Sequence, residues 1–265
     1  MRAHLVQSDI AWEDKGENFR RVAAMLDGAR VERGDLVVLP EMFDTGFSFN
    51  LDRTHDGDGR TLEFLRALSR RLGATVQGAR TVLGSDGRGR NRATVTGPDG
   101  EVLVEYDKIH PFSYGRESRY FSGGESVVTY PWTRGATDAA GACERATVCP
   151  AICYDLRFPE LFRRGLAMGA EVFAVGANWP AGRAMHRRIL LLARAIENQA
   201  VVLGVNRVGR DPSLEYAGGT IAIGPKGDVI AELGAEPGVL SVDVDLGGVR
   251  AWREEFPAWK DARLL

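Results

Sequence analysis

Only three cysteines occur among 265 residues, too few to staple a chain of this length, so a disulfide framework is excluded as the basis of its fold. Histidine is as scarce. His4, His55, His110 and His186 stand alone, and no second Cys or His pair at ligand spacing completes a metal site. Cys149 and Cys153 are separated by three residues, which is neither the C-x-x-C of a redox turn nor a zinc-knuckle spacing. No metal and no cofactor is therefore expected. Long apolar runs are missing too: nowhere do about 18 consecutive apolar residues occur, so no membrane span is expected. The opening MRAHLVQSDIAW has too short an apolar run for a secretory leader, which predicts a soluble, cytoplasmic protein. Charge is plentiful but unbiased, with 34 Lys and Arg against 36 Asp and Glu. The arginine pairs at 20–21, 70–71, 163–164 and 187–188 are scattered and flanked by acids, which removes the electrostatic footprint of a nucleic-acid binder. No Ser/Pro/Gly-rich linker or low-complexity run interrupts the chain, so residues 1–265 are expected to form one domain.

What is present is an alternation of short β-branched runs with longer amphipathic ones. Strands are predicted over 3–10, 35–41, 74–84, 91–98, 101–108, 145–154, 170–176, 200–206 and 238–245, with a hairpin over 219–233. Helices are predicted over 18–31, 60–72, 157–168 and 183–199, the first placing Phe19, Val22, Ala23, Leu26 and Ala29 on one face. Residues 109–144, rich in Gly, Ser and aromatics, have little periodicity. A segment of that length is functional or disordered, and its aromatics argue against disorder. Mixed strand order with helices in two groups predicts an α/β fold in which helix layers flank two stacked sheets.

Three of these strands end in a residue able to do chemistry: Glu41 after LVVLP, Lys108 after LVEYD and Cys153 after TVCPAI. Strand ends are where loops diverge and ligand sites gather, so the three ends are candidates for one pocket. Singly, each has a plain structural explanation: a capping carboxylate, an exposed strand end, a buried small hydrophobe. Together they suffice for amide hydrolysis. A thiol with a pKa of about 8.5 needs help to ionise near neutrality. A helix N-terminus after Cys153 and the charge of Lys108 are expected to favour the anion, while Glu41 in a poorly solvated pocket would shuttle the proton. Cys149 is assigned to packing, because Pro150 interrupts the regular strand.

The segments LPEMFDTGFS, YDKIHPF and CYDLRFPE resemble the three catalytic blocks of the nitrilase, or carbon–nitrogen hydrolase, superfamily. ANWPAGRAMH, ARAIENQAVVLGVNRVG and REEFPAWKDA extend the likeness over nearly the whole chain. Within the superfamily it is most similar to the omega-amidase branch, which acts on monoamides of short dicarboxylates such as 2-oxoglutaramate and 2-oxosuccinamate. The resemblance implies a four-layer α-β-β-α sandwich, a small-molecule amide substrate, and a homodimer or larger assembly, with the C-terminal tail of about 246–265 at a subunit interface. It implies a Glu41–Lys108–Cys153 triad, an oxyanion held by Lys108 and the backbone N–H of Tyr154, and a second glutamate for which Glu117 fits better than Glu125. Candidates for contacting substrate are Phe47, Tyr114, Arg157, Asn178, Trp179 and Arg183. Of these, Arg157 is set either to face the substrate's far carboxylate or to pair with Asp155 or Glu160, and Arg183 is next in line. One departure is Arg187, which follows His186 where relatives tend to carry an aromatic. The same fold and triad acting on a nitrile or an N-carbamoyl amine is the alternative reading. A non-catalytic binding module is the third, disfavoured by the presence of all three triad residue types.

Replacing Cys153 with Ser is expected to keep the fold and nearly abolish turnover, since an alkoxide is far harder to form than a thiolate. Steady-state kinetics on Cys153→Ser and Cys149→Ser check this, and an equal loss in a folded Cys149→Ser variant would reverse the two assignments.

Overall fold

The computed structural model describes residues 1–135 and 143–263. Its first sheet has the order β14 (Gly238–Asp243), β1 (Arg2–Gln7), β2 (Leu36–Val38), β3 (Thr75–Leu83), β4 (Gly89–Thr96) and β5 (Val102–Asp107). Its second has the order β13 (Val229–Glu232), β12 (Ile221–Ile223), β9 (Val201–Asn206), β8 (Val172–Ala177), β7 (Glu144–Ile152) and β6 (Tyr130–Arg134). A small hairpin, β10 (Val208–Arg210) with β11 (Glu215–Ala217), stands apart from both.

Strand alternation sorts the apolar residues into three cores. Leu5, Leu36, Val38 and Val242 of the first sheet meet Trp132, Val148, Val172, Leu203 and Val205 of the second, forming the layer between the sheets. On the outer face of the first sheet, Val37 and Val76 pack on Val22 and Leu26 of α1 (Lys15–Asp27) and on Leu65 and Leu68 of α3 (Arg60–Leu72). On the outer face of the second, Phe173, Val175 and Val202 pack on Leu161 and Phe162 of α4 (Pro159–Ala167) and on Leu191 and Ala195 of α5 (Ala184–Asn198). This is the four-layer α-β-β-α sandwich. The caps match their chemistry: the Asp14 carboxylate accepts the Glu17 N–H at the start of α1, and Gly73 takes the left-handed conformation (φ 61°) that ends α3.

The expected elements are present with shifted ends, and β6, the short helix α2 (Leu51–Thr54), the β10–β11 hairpin and a C-terminal helix come in addition. Within the aperiodic stretch of 109–144 lies β6, whose Tyr130 and Trp132 point inward around an exposed Pro131; it is an edge strand, where proline is tolerated and hides the pattern. Residues 136–142 of that stretch lie outside the described residues. Beyond β14 the chain forms a further helix, α6 (Leu246–Glu255). It docks on its own chain, with Arg253 Nε donating to the Gln199 carbonyl (2.9 Å) and Gln199 Nε2 donating to the Phe256 carbonyl (2.7 Å).

The parallel pairings decide where the chemistry goes. Strands β1, β2 and β3 run parallel, and β5, two antiparallel steps from β3, runs the same way. In the other sheet β7, β8 and β9 run parallel. Glu41, Lys108, Cys153 and Asn178 all follow the C-terminal ends of such strands. Gly176 of β8 permits the closest approach between the sheets there, since a Cβ at this position would lie 2.8 Å from the Leu39 carbonyl oxygen and 3.3 Å from the Glu41 nitrogen.

Gly176→Ala is therefore expected to cost about 1–3 kcal/mol of stability, because the obstructing atoms are backbone. Urea unfolding checks it; an unchanged midpoint would show that the Glu41 segment yields freely.

Candidate active site

Each functional group is delivered by a short irregular segment after a strand. Glu41 follows β2 through Pro40, and the chain turns at once at Met42 (φ 43°). Lys108 follows β5, its N–H bonded to the Asn91 carbonyl at 2.9 Å. Cys153 follows β7 directly and opens a 3₁₀ turn, Cys153–Arg157, with φ 46° at the cysteine itself. A left-handed backbone at a non-glycine residue is strained, and here other bonds hold it. Asp155 accepts the Ile152 N–H (3.0 Å), the Tyr106 hydroxyl (2.6 Å) and the His110 N–H (3.0 Å), and its Oδ1 lies 2.8 Å from His110 Nδ1. The turn that presents the sulfur is thus clamped through a buried carboxylate.

At the pocket floor, Lys108 is 1 % exposed. Its Nζ donates to Glu41 Oε1 (2.8 Å) and to Glu117 Oε1 and Oε2 (3.1 and 2.8 Å). Asn91 of β4 bridges the same two carboxylates, its Nδ2 lying 2.8 Å from Glu41 and 3.1 Å from Glu117. The Asn178 N–H donates to Glu41 Oε2 (2.9 Å), and the Phe112 N–H to Glu117 Oε2 (2.5 Å). Every oxygen of both carboxylates therefore has a partner, as buried charge requires. Burial alone would push the Lys108 ammonium toward neutrality, but Glu117 and Glu41 outweigh it, so its pKa stands above the ordinary lysine value. Burial pushes the Glu117 carboxyl up, opposed by Lys108.

For Cys153 the expectation of an anion-favouring site is reversed. Burial, and next the Glu41 carboxylate, hold the thiol well above its ordinary value, against the smaller pull of Lys108. The following turn is too short to supply a helix N-terminus of consequence. Cys153 is thus held toward the neutral thiol beside the Glu41 carboxylate. Cys149 is a packing residue: a Cβ on Gly165 of α4 would come within 2.8 Å of its sulfur, and burial raises its pKa to about 12.

A pocket of about 410 Å³, counted to its opening, rises from this floor. Lys108, Cys153, Tyr154, Phe47, Asn178, Trp179, Arg157 and Arg183 line it. Tyr114 does not; it is 85 % exposed, its ring beside that of Phe112. Glu117 is buried at the site while Glu125 is exposed. Arg157 pairs with neither Asp155 nor Glu160. Its guanidinium lies over the Trp179 ring (4.9 Å) and near Tyr154 (5.9 Å), and that of Arg183 over Phe112 (5.5 Å). Sequence reasoning missed Asn91, Phe112, Pro180, Leu214 and Tyr216. The last two arrive on the β10–β11 hairpin, which the period-two pattern marks only faintly because its strands are three residues long.

The family model for carbon–nitrogen hydrolases matches residues 2–254. The chain belongs to the carbon–nitrogen hydrolase family. Its likeness to relatives runs end to end. It is 35 % identical to Omega-amidase YafV of Yersinia enterocolitica (98 % of this chain, 96 % of that one) and 32 % identical to 2-oxoglutaramate amidase of Bacillus subtilis (97 % and 96 %). Among solved structures it is similar to XC1258 of Xanthomonas campestris, a CN-hydrolase superfamily protein with an arsenic adduct in the active site. The TM-score is 0.89 at 32 % identity, over 100 % of this chain and 98 % of that one. The chain is thus an omega-amidase-like carbon–nitrogen hydrolase.

Because burial raises the Cys153 thiol above the ordinary 9.0, its alkylation by iodoacetamide is expected to keep accelerating beyond that pH. Mass spectrometry of the Cys153 peptide across pH reads this directly. A plateau near about pH 7 would mean that Lys108 outweighs burial and Glu41.

Proposed function

We propose that the protein hydrolyses the terminal amide of short dicarboxylate monoamides, of the 2-oxoglutaramate or 2-oxosuccinamate type, to the acid and ammonia. The observation that carries this reading is the pairing of a triad floor with two uncommitted cations. Arg157 and Arg183 line an otherwise aromatic pocket, and neither has a carboxylate within salt-bridge distance among the described residues. A guanidinium stacked on an aromatic ring keeps its planar edge free for a carboxylate. The names of the full-length relatives, an omega-amidase and a 2-oxoglutaramate amidase, point the same way.

In this reading the amide carbonyl sits over Cys153. The sulfur attacks as its proton passes to Glu41, and the tetrahedral oxyanion is held by Lys108 Nζ and the Tyr154 N–H. Glu41 returns the proton to the departing ammonia, leaving a thioester. It next takes a proton from water, whose oxygen attacks the thioester carbonyl, and the sulfur leaves with that proton. One water is consumed and one ammonia released. Glu117 keeps the Lys108 ammonium charged and fixed.

Ammonia release across a panel of dicarboxylate monoamides, neutral amides, nitriles and N-carbamoyl amines tests the substrate class. Arg157→Gln is expected to lower kcat/KM for a dicarboxylate monoamide by roughly 2–4 kcal/mol, and to leave a neutral amide of equal length almost unaffected. Equal losses on both substrates would make Arg157 structural and direct the search to Arg183.

A further inference from the structure

The charges at the pocket floor do not balance in favour of an anion. One ammonium, Lys108, is shared by two carboxylates, Glu41 and Glu117, so negative charge developing at Cys153 needs a further cation. The other charged groups near the sulfur are committed or lie farther out. On its own turn, Asp155 is occupied by Tyr106, His110 and Ile152, and Arg157 stacks on Trp179 in the pocket wall. On α5, Arg194 donates to the Leu156 carbonyl and to Glu197.

Apart from Arg157 and Arg183, which face the pocket from aromatic rings, one further cation lacks a counter-ion among the described residues. Helix α5 packs against the turn that opens at Cys153, and in its first turn Arg187 is only 3 % exposed. Its Nη1 donates to the Gly219 carbonyl (2.7 Å), whereas Nε and Nη2 are buried without an acceptor among the described residues. No carboxylate lies within salt-bridge distance of it among the described residues. Glu232, whose charge reaches it, is engaged by Arg188 at 3.2 Å on the outside. The guanidinium is also confined: a Cβ on Gly204 of β9 would sit 3.3 Å from Nη2. A buried cation without a counter-ion costs stability, and replacing it with an apolar side chain is commonly neutral or stabilising.

We propose that Arg187 is a positioning residue for the nucleophile: its unpaired buried charge, on the helix packed against the Cys153 turn and beside Gly204, whose β8 partner Val175 adjoins the Gly176 that pairs with Ile152, favours anionic sulfur at Cys153. The inference rests on reading Cys153 as the nucleophile. Burial lowers the guanidinium to about 10, so it still carries its charge near neutrality and is available to sulfur that becomes anionic during attack.

The test compares wild type, Arg187→Met and Arg187→Lys, without substrate, by iodoacetamide alkylation across pH with the Cys153 peptide quantified by mass spectrometry. The exposed Cys143 serves as reference. Arg187→Met is expected to fold with an equal or higher melting temperature. Its Cys153 alkylation should be about tenfold slower at a given pH, equivalent to an upward displacement of about one pH unit, with Cys143 unmoved. Arg187→Lys should stay within about threefold of wild type, because the charge is kept. A superimposable profile for Arg187→Met, an equal loss in both variants, or failure of Arg187→Met to fold would each make Arg187 structural and overturn the proposal. Since no dicarboxylate monoamide enters the experiment, its result stands apart from the substrate panel; inactivity on dicarboxylate monoamides would remove the substrate reading and leave this one intact.

Discussion

A lysine ammonium buried between two carboxylates is the constraint on which the rest of this molecule depends. Stripping water from one such ion costs several kcal/mol even after relaxation, and only close, fully bonded partners offset it. The partners here come from four separate places: Glu41 after β2, Asn91 within β4, Glu117 in the loop after β5 and Asn178 after β8. None is near Lys108 by local geometry alone. The two sheets must stack with their parallel strand ends coincident, and the glycine at 176 must let the Glu41 segment close on β8.

Around that floor the pocket separates its tasks by environment. Below, charges are dry and bonded to one another, so proton affinities are shifted and the geometry is rigid. On the walls, Phe47, Phe112, Tyr154 and Trp179 supply apolar area, and the two arginines rest on aromatic faces with no acid to neutralise them. A neutral thiol fits this division better than a preformed thiolate. A third anion beside Glu41 and Glu117 would be destabilised in every resting molecule, whereas proton transfer during attack creates it only when an electrophile is present.

Much of this was legible in the amino-acid order. The triad residues stand at the ends of apolar runs, and a run followed abruptly by a charged or nucleophilic residue is a local signal. The two-sheet, four-layer arrangement followed from strand periods of two beside helical periods on both flanks. What escaped has physical reasons. Asn91 sits inside a strand and looks like any polar member of an alternating pattern; its role arises from two residues 26 and 50 positions away. Leu214 and Tyr216 ride on a hairpin whose strands are too short to register. Tyr114, a candidate for contacting substrate, is carried outward by the turn before Glu117. The anionic character expected of Cys153 failed because charge proximity is visible in sequence motifs and desolvation is not.

The strand ends that meet at Lys108 belong to different sheets, and the bond from the Asn178 N–H to Glu41 joins residues 137 apart. Glu41 and Cys153 are thus carried by halves of the molecule that first touch when the sandwich closes. Contacts of such long sequence separation require loop closure before they are rewarded, so they form late in folding. Neither half can hold a working site as a partly folded chain. The environment of Cys153 thereby becomes a property of the closed sandwich: during synthesis the emerging chain carries a thiol without Glu41 and Asn178 assembled beside it, and that assembly appears together with the final docking of the two sheets.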